Sequence, residues 1–99
     1  MRAIPSVIDG ARVVCYTPID SRHRHTGNTR QLVDGVPLGA ATGLAICQCE
    51  GEESFYLFGC DENWKCLSDT WHETLENAKA QAEFEYEGTL LTWIASVNH

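Results

Sequence analysis

The stretch Thr74-Leu75-Glu76-Asn77-Ala78-Lys79-Ala80-Gln81-Ala82-Glu83-Phe84-Glu85-Tyr86-Glu87-Gly88 decides the fold. Its Ala, Glu, Gln and Lys residues are good helix formers. Thr74 can cap the start by accepting from a backbone N–H one turn ahead. Glu76 places a carboxylate at the positive end of the helix dipole, and Gly88 supplies a stop. Together these signals predict one helix over about residues 74–87. At 100° per residue, Leu75, Ala78, Ala82 and Tyr86 share a stripe that can lie close against a sheet. Ala80 and Phe84 fall on the opposite side. A Phe there is a lone exposed aromatic, a residue covered by the N-terminal segment, or a contact with a partner or second copy.

Upstream, Leu44 to Cys49, Phe55 to Gly59 and Trp64 to Leu67 are short strand-like runs. Glu50-Gly51-Glu52-Glu53 and Asp61-Glu62-Asn63 separate them as turns, which predicts a three-stranded antiparallel meander. With Cys49 opposite Ser54 and Phe58 opposite Cys66, one face carries Leu44, Ile46, Phe55, Leu57 and Leu67. The other carries Ala45, Cys47, Cys49, Tyr56, Phe58, Trp64 and Cys66. Both faces are apolar, so the second needs a cover: the N-terminal hairpin or another subunit.

Toward the N-terminus, Asp9-Gly10 suits the positive φ angles of a type I′ hairpin turn. The turn joins Ile4–Ile8, which Pro5 restricts to an edge or an arm, to Arg12–Thr17. Residues 17–30 read as a long polar loop, and Asp34-Gly35 as a second turn. Leu90 to Val97 reads as a final strand returning beside the meander. The expected architecture is α+β, one domain over residues 1–99: an N-terminal hairpin, a meander and a C-terminal strand, crossed by one helix.

Composition narrows the class. The 99 residues are 43% hydrophobic and 21% charged, an ordinary globular balance. No run approaches the roughly 18 apolar residues of a membrane helix. Met1-Arg2-Ala3-Ile4-Pro5 leads into no sustained apolar segment, which reads as no signal peptide. Five cysteines, an odd number, then predict reduced thiols and a cytoplasmic protein. The net charge of −7 is uneven. Residues 1–42 hold five arginines against three aspartates; residues 43–99 hold two lysines against eleven carboxylates. Such a surface repels a phosphate backbone, which disfavours general nucleic-acid binding.

The concentrated positive charge is Arg22-His23-Arg24-His25, with Arg30 five residues on and Gly27 between. Guanidinium forks fit carboxylates and phosphates, and the histidines would strengthen anion binding as pH falls. The same loop can equally be solvated and paired with the acidic half of the chain. His23 and His25 alone are too few ligands for a metal. Cys47 and Cys49 with Cys60 and Cys66 lack the Cys-x-x-Cys knuckles of zinc sites, and read as small buried hydrophobes. A calcium loop starting at Asp61 would need Gly and Glu where Cys66 and His72 stand. His72-Glu73 beside Asp69 reads as a polar helix start. No nucleophile elbow is present, and no cofactor or catalytic group is implied.

The segment Phe55 to Gly88 resembles a group of small, uncharacterised bacterial proteins, a resemblance that implies no site. Gly59-Cys60 and Asp69-Thr70, followed by Leu75-Glu76-Asn77-Ala78, are also similar to HicB-type antitoxins, although four residues intervene between Thr70 and Leu75. The reading that follows is a non-enzymatic, immunity- or antitoxin-like binding module, with Phe84 and Ala80 as its contact face and a homodimer as one form. The alternative is a binder of, or enzyme on, a small anion or phosphorylated ligand, using Arg22, His23, Arg24, His25 and Arg30.

Overall fold

The computed structural model describes residues 2–26, 32–33, 36–37 and 41–96. Its strands are β1 (Val7–Ile8), β2 (Ala11–Pro18), β3 (Arg24–His25), β4 (Leu32–Val33), β5 (Val36–Pro37), β6 (Gly43–Gln48), β7 (Phe55–Cys60) and β8 (Cys66–His72). After these come helix α1 (Leu75–Glu85), β9 (Tyr86–Glu87), a 3₁₀ turn (Thr89–Leu91) and β10 (Ile94–Ala95). The main sheet is antiparallel in the order β1-β2-β6-β7-β8, and β10 lies against the edge of β2 that β6 does not use. This is the expected α+β class.

Local chemistry explains the hairpins. Asp9 (φ 47°) and Gly10 (φ 80°) both adopt positive φ, as a type I′ turn requires. Between β7 and β8, the Asp61 carboxylate accepts from the N–H groups of Asn63 (2.8 Å) and Lys65 (2.9 Å). This tight turn puts Trp64 at φ 62°, a conformation bulky residues seldom adopt. Burial offsets the strain: the indole is 4% exposed and its Nε1–H donates to the Arg2 carbonyl at 2.8 Å. The edge of Trp64 also meets the Tyr16 ring, centroids 5.7 Å apart.

Two cores lie on the two faces of the sheet. On one, Ala78, Ala82 and Tyr86 pack with Cys15, Leu44, Ile46 and Leu57, with Leu75 partly buried beside them. The predicted stripe is therefore the buried one. On the other, Ile8, Ala11 and Val13 join Ala45, Cys47, Phe58, Cys60 and Trp64, with Ile4 packed alongside. The second apolar face is covered from within the chain, by Trp64 and the N-terminal arm. A bulge between Val13 and Cys15 makes the two-sided arrangement possible. The extra residue shifts the alternation of β2, so that Ala11 and Val13 serve one core and Cys15 the other.

Four details differ from the sequence reading. The third strand starts at Cys66, because Trp64 belongs to the turn, and Phe58 lies opposite Asp69 instead of Cys66. The stretch 17–30 is not all loop: β2 runs to Pro18, and Arg24–His25 pairs with Tyr86–Glu87. That pairing pulls Tyr86 and Glu87 into extended backbone, so α1 ends at Glu85. Gly88 (φ 100°) then turns the chain where an added Cβ would sit 2.6 Å from the Arg22 carbonyl oxygen. The C-terminal strand shortens to Ile94–Ala95 and joins β2. The Asp34-Gly35 turn and Val97 lie outside the described residues.

Trp64→Ala should cost about 3–5 kcal/mol, since it removes a buried indole and orphans the Arg2 carbonyl. Urea unfolding measures this; a change below about 1 kcal/mol would mean that the indole is not what closes the second face.

Candidate functional site

The basic loop is held by short-range bonds. The Asp20 carboxylate accepts from the Arg22 backbone N–H (3.0 Å), its Nε (3.0 Å) and its Nη2 (2.9 Å). Those bonds from the Arg22 side chain, then from its backbone, hold the Asp20 pKa down at about 2. Arg24 lies opposite Glu87 in the β3–β9 ladder, and its Nε and Nη2 reach the two Glu87 oxygens at 3.2 and 2.6 Å. The hydrogen bonds and charge of Arg24 lower the Glu87 pKa.

The two histidines have different settings. His23 has a fully buried ring. Its Nδ1 accepts from the Asp20 backbone N–H at 3.1 Å. That fixes the tautomer in which Nε2–H donates to Thr92 Oγ1, 2.8 Å away. Thr92 in turn meets the buried Thr17 hydroxyl at 2.8 Å. His23 is thus the pin joining the loop to β2 and to the segment after α1. His25 stacks on Tyr86, with centroids 4.8 Å apart and planes 20° from parallel. Arg30 and Gly27 lie outside the described residues.

Ser21, Arg22, His23, Arg24, Glu87 and Gly88 line a shallow, open hollow of about 330 Å³. It brings Arg22, His23 and Arg24 together, but each guanidinium at its rim already faces a carboxylate. An incoming anion would have to displace Asp20 or Glu87.

The cysteines are unpaired. Burial pushes the thiols of Cys15 and Cys66 up to about 11 and of Cys60 to about 12, and raises Cys47 further; it also raises Cys49. All five are held as thiols, which are poor nucleophiles and metal ligands. Among the described residues, no three or more His, Cys, Asp or Glu side chains converge as a metal site. His72 bonds Thr70 Oγ1 at 2.7 Å, and burial lowers its pKa.

Besides Val7 and Ile94, large apolar side chains face outward in two places. Phe84 (52% exposed) and Ala80 lie on the outer face of α1. Beyond them, Leu90 (56%) and Leu91 (91%) sit on the 3₁₀ turn. The Glu83 carboxylate ties that turn back to α1 by accepting from the Gly88 and Leu90 N–H groups, each at 3.1 Å. Trp71 (54% exposed) stands on β8. The sequence reading missed it, although Leu67, Asp69 and Trp71 alternate with half-buried neighbours as a strand face does.

The chain matches no known protein family, no curated protein and no solved structure. No helix among the described residues is long and apolar enough to cross a membrane.

The Asp20 carboxylate titrates lower folded than unfolded, so it stabilises the fold above its ordinary value of 3.8. That contribution fades as pH falls from about 4 toward about 2. Asp20→Asn should therefore lower Tm at pH 6, and the gap to the parent should narrow toward pH 2 and close below it. A gap constant across that range would show that the Asp20–Arg22 pairing does not exist in solution.

Proposed function

We propose that this chain is a protein-binding module, immunity- or antitoxin-like in its manner of action, working by occupying a partner instead of by catalysis. The observation that carries the reading is the outward apolar group of Phe84, Leu90 and Leu91 at the end of α1. A leucine left 91% exposed, with two more large apolar side chains near it in the chain, is the kind of surface that a partner covers. A net charge of −7 steers such a surface toward a basic partner. Five unpaired thiols suit a reducing compartment such as a bacterial cytoplasm. The likeness to HicB-type antitoxins points the same way, although here Asp69-Thr70 lies within β8 and Thr74 caps the helix.

Native mass spectrometry of protein purified from a bacterial host tests this reading. The expected result is a second copy or a protein partner retained, and lost in Phe84→Glu, with affinity at least about tenfold weaker. A monomer with wild-type behaviour in that variant would remove the Phe84 surface from consideration.

The open hollow beside Arg22 and Arg24 favours a second reading, small-anion binding, and Glu87 and Asp20 weigh against it. On the first reading, inorganic phosphate leaves Tm unchanged. A rise in Tm that disappears in an Arg22→Ala/Arg24→Ala variant would establish the second.

A further inference from the structure

The last strand of the sheet, β8, has no neighbour on its outer edge among the described residues. It is seven residues long and contains no Lys or Pro. Open edges of this length are usually blunted, since their unpaired N–H and C=O groups template another strand. Here the blunting is confined to one end, where a bulge lies beside Cys66. The rest of the edge is regular through Trp71 and His72.

Side chains give this edge a definite chemistry. Trp71 lies opposite Tyr56 and Asp69 opposite Phe58, and the Tyr56 and Phe58 rings stack at 6.0 Å. Trp71 therefore extends an aromatic row to the rim of the sheet. Pairing of Phe55 with His72 brings the Glu50–Glu53 turn to the same end of β8 as Glu73. Glu50, Glu52, Glu53, Asp69 and Glu73 are all exposed, and none of them is in an ion pair among the described residues. From residue 43 to 78 the only basic side chain apart from His72 is Lys65, in the turn at the opposite end of the strand. The rim is an apolar anchor inside an acidic ring.

We propose that the outer edge of β8 receives an extended, Lys- or Arg-bearing segment of a partner protein as an added antiparallel or parallel strand. Backbone bonds to the edge would supply affinity. Trp71 and the carboxylate ring would select a segment that alternates basic and apolar residues. A second copy of this chain fits poorly. Asp69 is the midpoint of Cys66–His72, so full two-fold pairing of β8 with itself sets Asp69 against Asp69, like charges directly opposite. This surface is distinct from the Phe84 surface and does not rest on it.

The experiment is an NMR titration of the ¹⁵N-labelled full chain with two synthetic seven-residue peptides, one alternating Lys with Val and the other Glu with Val. The expected shifts fall on β8 and its β7 neighbours with the Lys peptide and are absent with the Glu peptide. Trp71→Ala should weaken binding roughly tenfold. Asp69→Arg should weaken the Lys peptide roughly fivefold. Both variants carry their change at exposed positions, and the parent-like spectrum of each shows that it is folded. Shifts mapping elsewhere, equal response to both peptides, or unchanged affinity in both variants would overturn the proposal. So would β8 shifts that follow protein concentration without peptide, which would assign the edge to a second copy.

Discussion

A sheet that is apolar on both faces must be covered on both faces, and the described residues include only one α-helix to do it. The constraint is met by Trp64. Its indole is swung over the second face by a tight turn, at a positive φ that costs an aromatic residue about 1–3 kcal/mol. Buried area and a bond to the Arg2 carbonyl hold it there. The same bond fixes the N-terminal arm, since the Arg2 N–H also donates to the Glu62 carbonyl. The bulge in β2 is the matching device on the other side of the sheet. Without the shift at Val13, Cys15 and Thr17 would point into the Trp64 core and α1 would lose part of its floor.

The segment after α1 is held by polar bonds as well as by packing of Tyr86 and Trp93 against the helix-side core. Thr17, Thr92 and His23 form a buried chain of hydrogen bonds, and the Glu83 carboxylate collects the free N–H groups of Gly88 and Leu90. Such networks fix one geometry because each buried member needs its partner. They also release Leu90 and Leu91 from the core, because the turn bearing them is anchored through its backbone. The basic loop is organised in the same way. Asp20 and Glu87 neutralise Arg22 and Arg24 in place, so the concentrated charge evident in the sequence becomes a pair of local ion pairs.

What the sequence made legible was what short-range chemistry decides. Thr74 capping, the Ala78–Ala82–Tyr86 stripe, the Asp9-Gly10 turn and the pairing of β6 with β7 each follow from residues within a few positions of one another. The two-sided core was also readable, because Leu44 and Ile46 alternate with Ala45 and Cys47. The third strand was misplaced by the same logic: an aromatic among apolar neighbours reads as strand, and nothing local signals that Trp64 takes a left-handed turn conformation. Tyr86–Glu87 carries strong helical signals and is made a strand by a contact with Arg24–His25, some 60 residues away. In the candidate site, the arginines were visible and so was pairing with the acidic half of the chain, which Glu87 supplies to Arg24; the Asp20 partner of Arg22, inside the basic half, was not read. Trp71 went unnoticed once the strand was ended too early.

Aromatic bulk is divided between the core and the surface. The core buries three aromatic side chains, Phe58, Trp64 and Tyr86. Trp71 and Phe84, which could each bury far more area, stand half exposed. Spending aromatic surface this way weakens the isolated chain and invites unwanted contacts. A surplus of carboxylates restrains those contacts by repulsion between like-charged copies. The same surplus is no barrier to a basic partner, for which the acidic field is attractive and the exposed rings are anchors. On the proposed reading, selectivity for a partner over a second copy would come from combining apolar groups with one sign of charge, and neither feature would provide it alone.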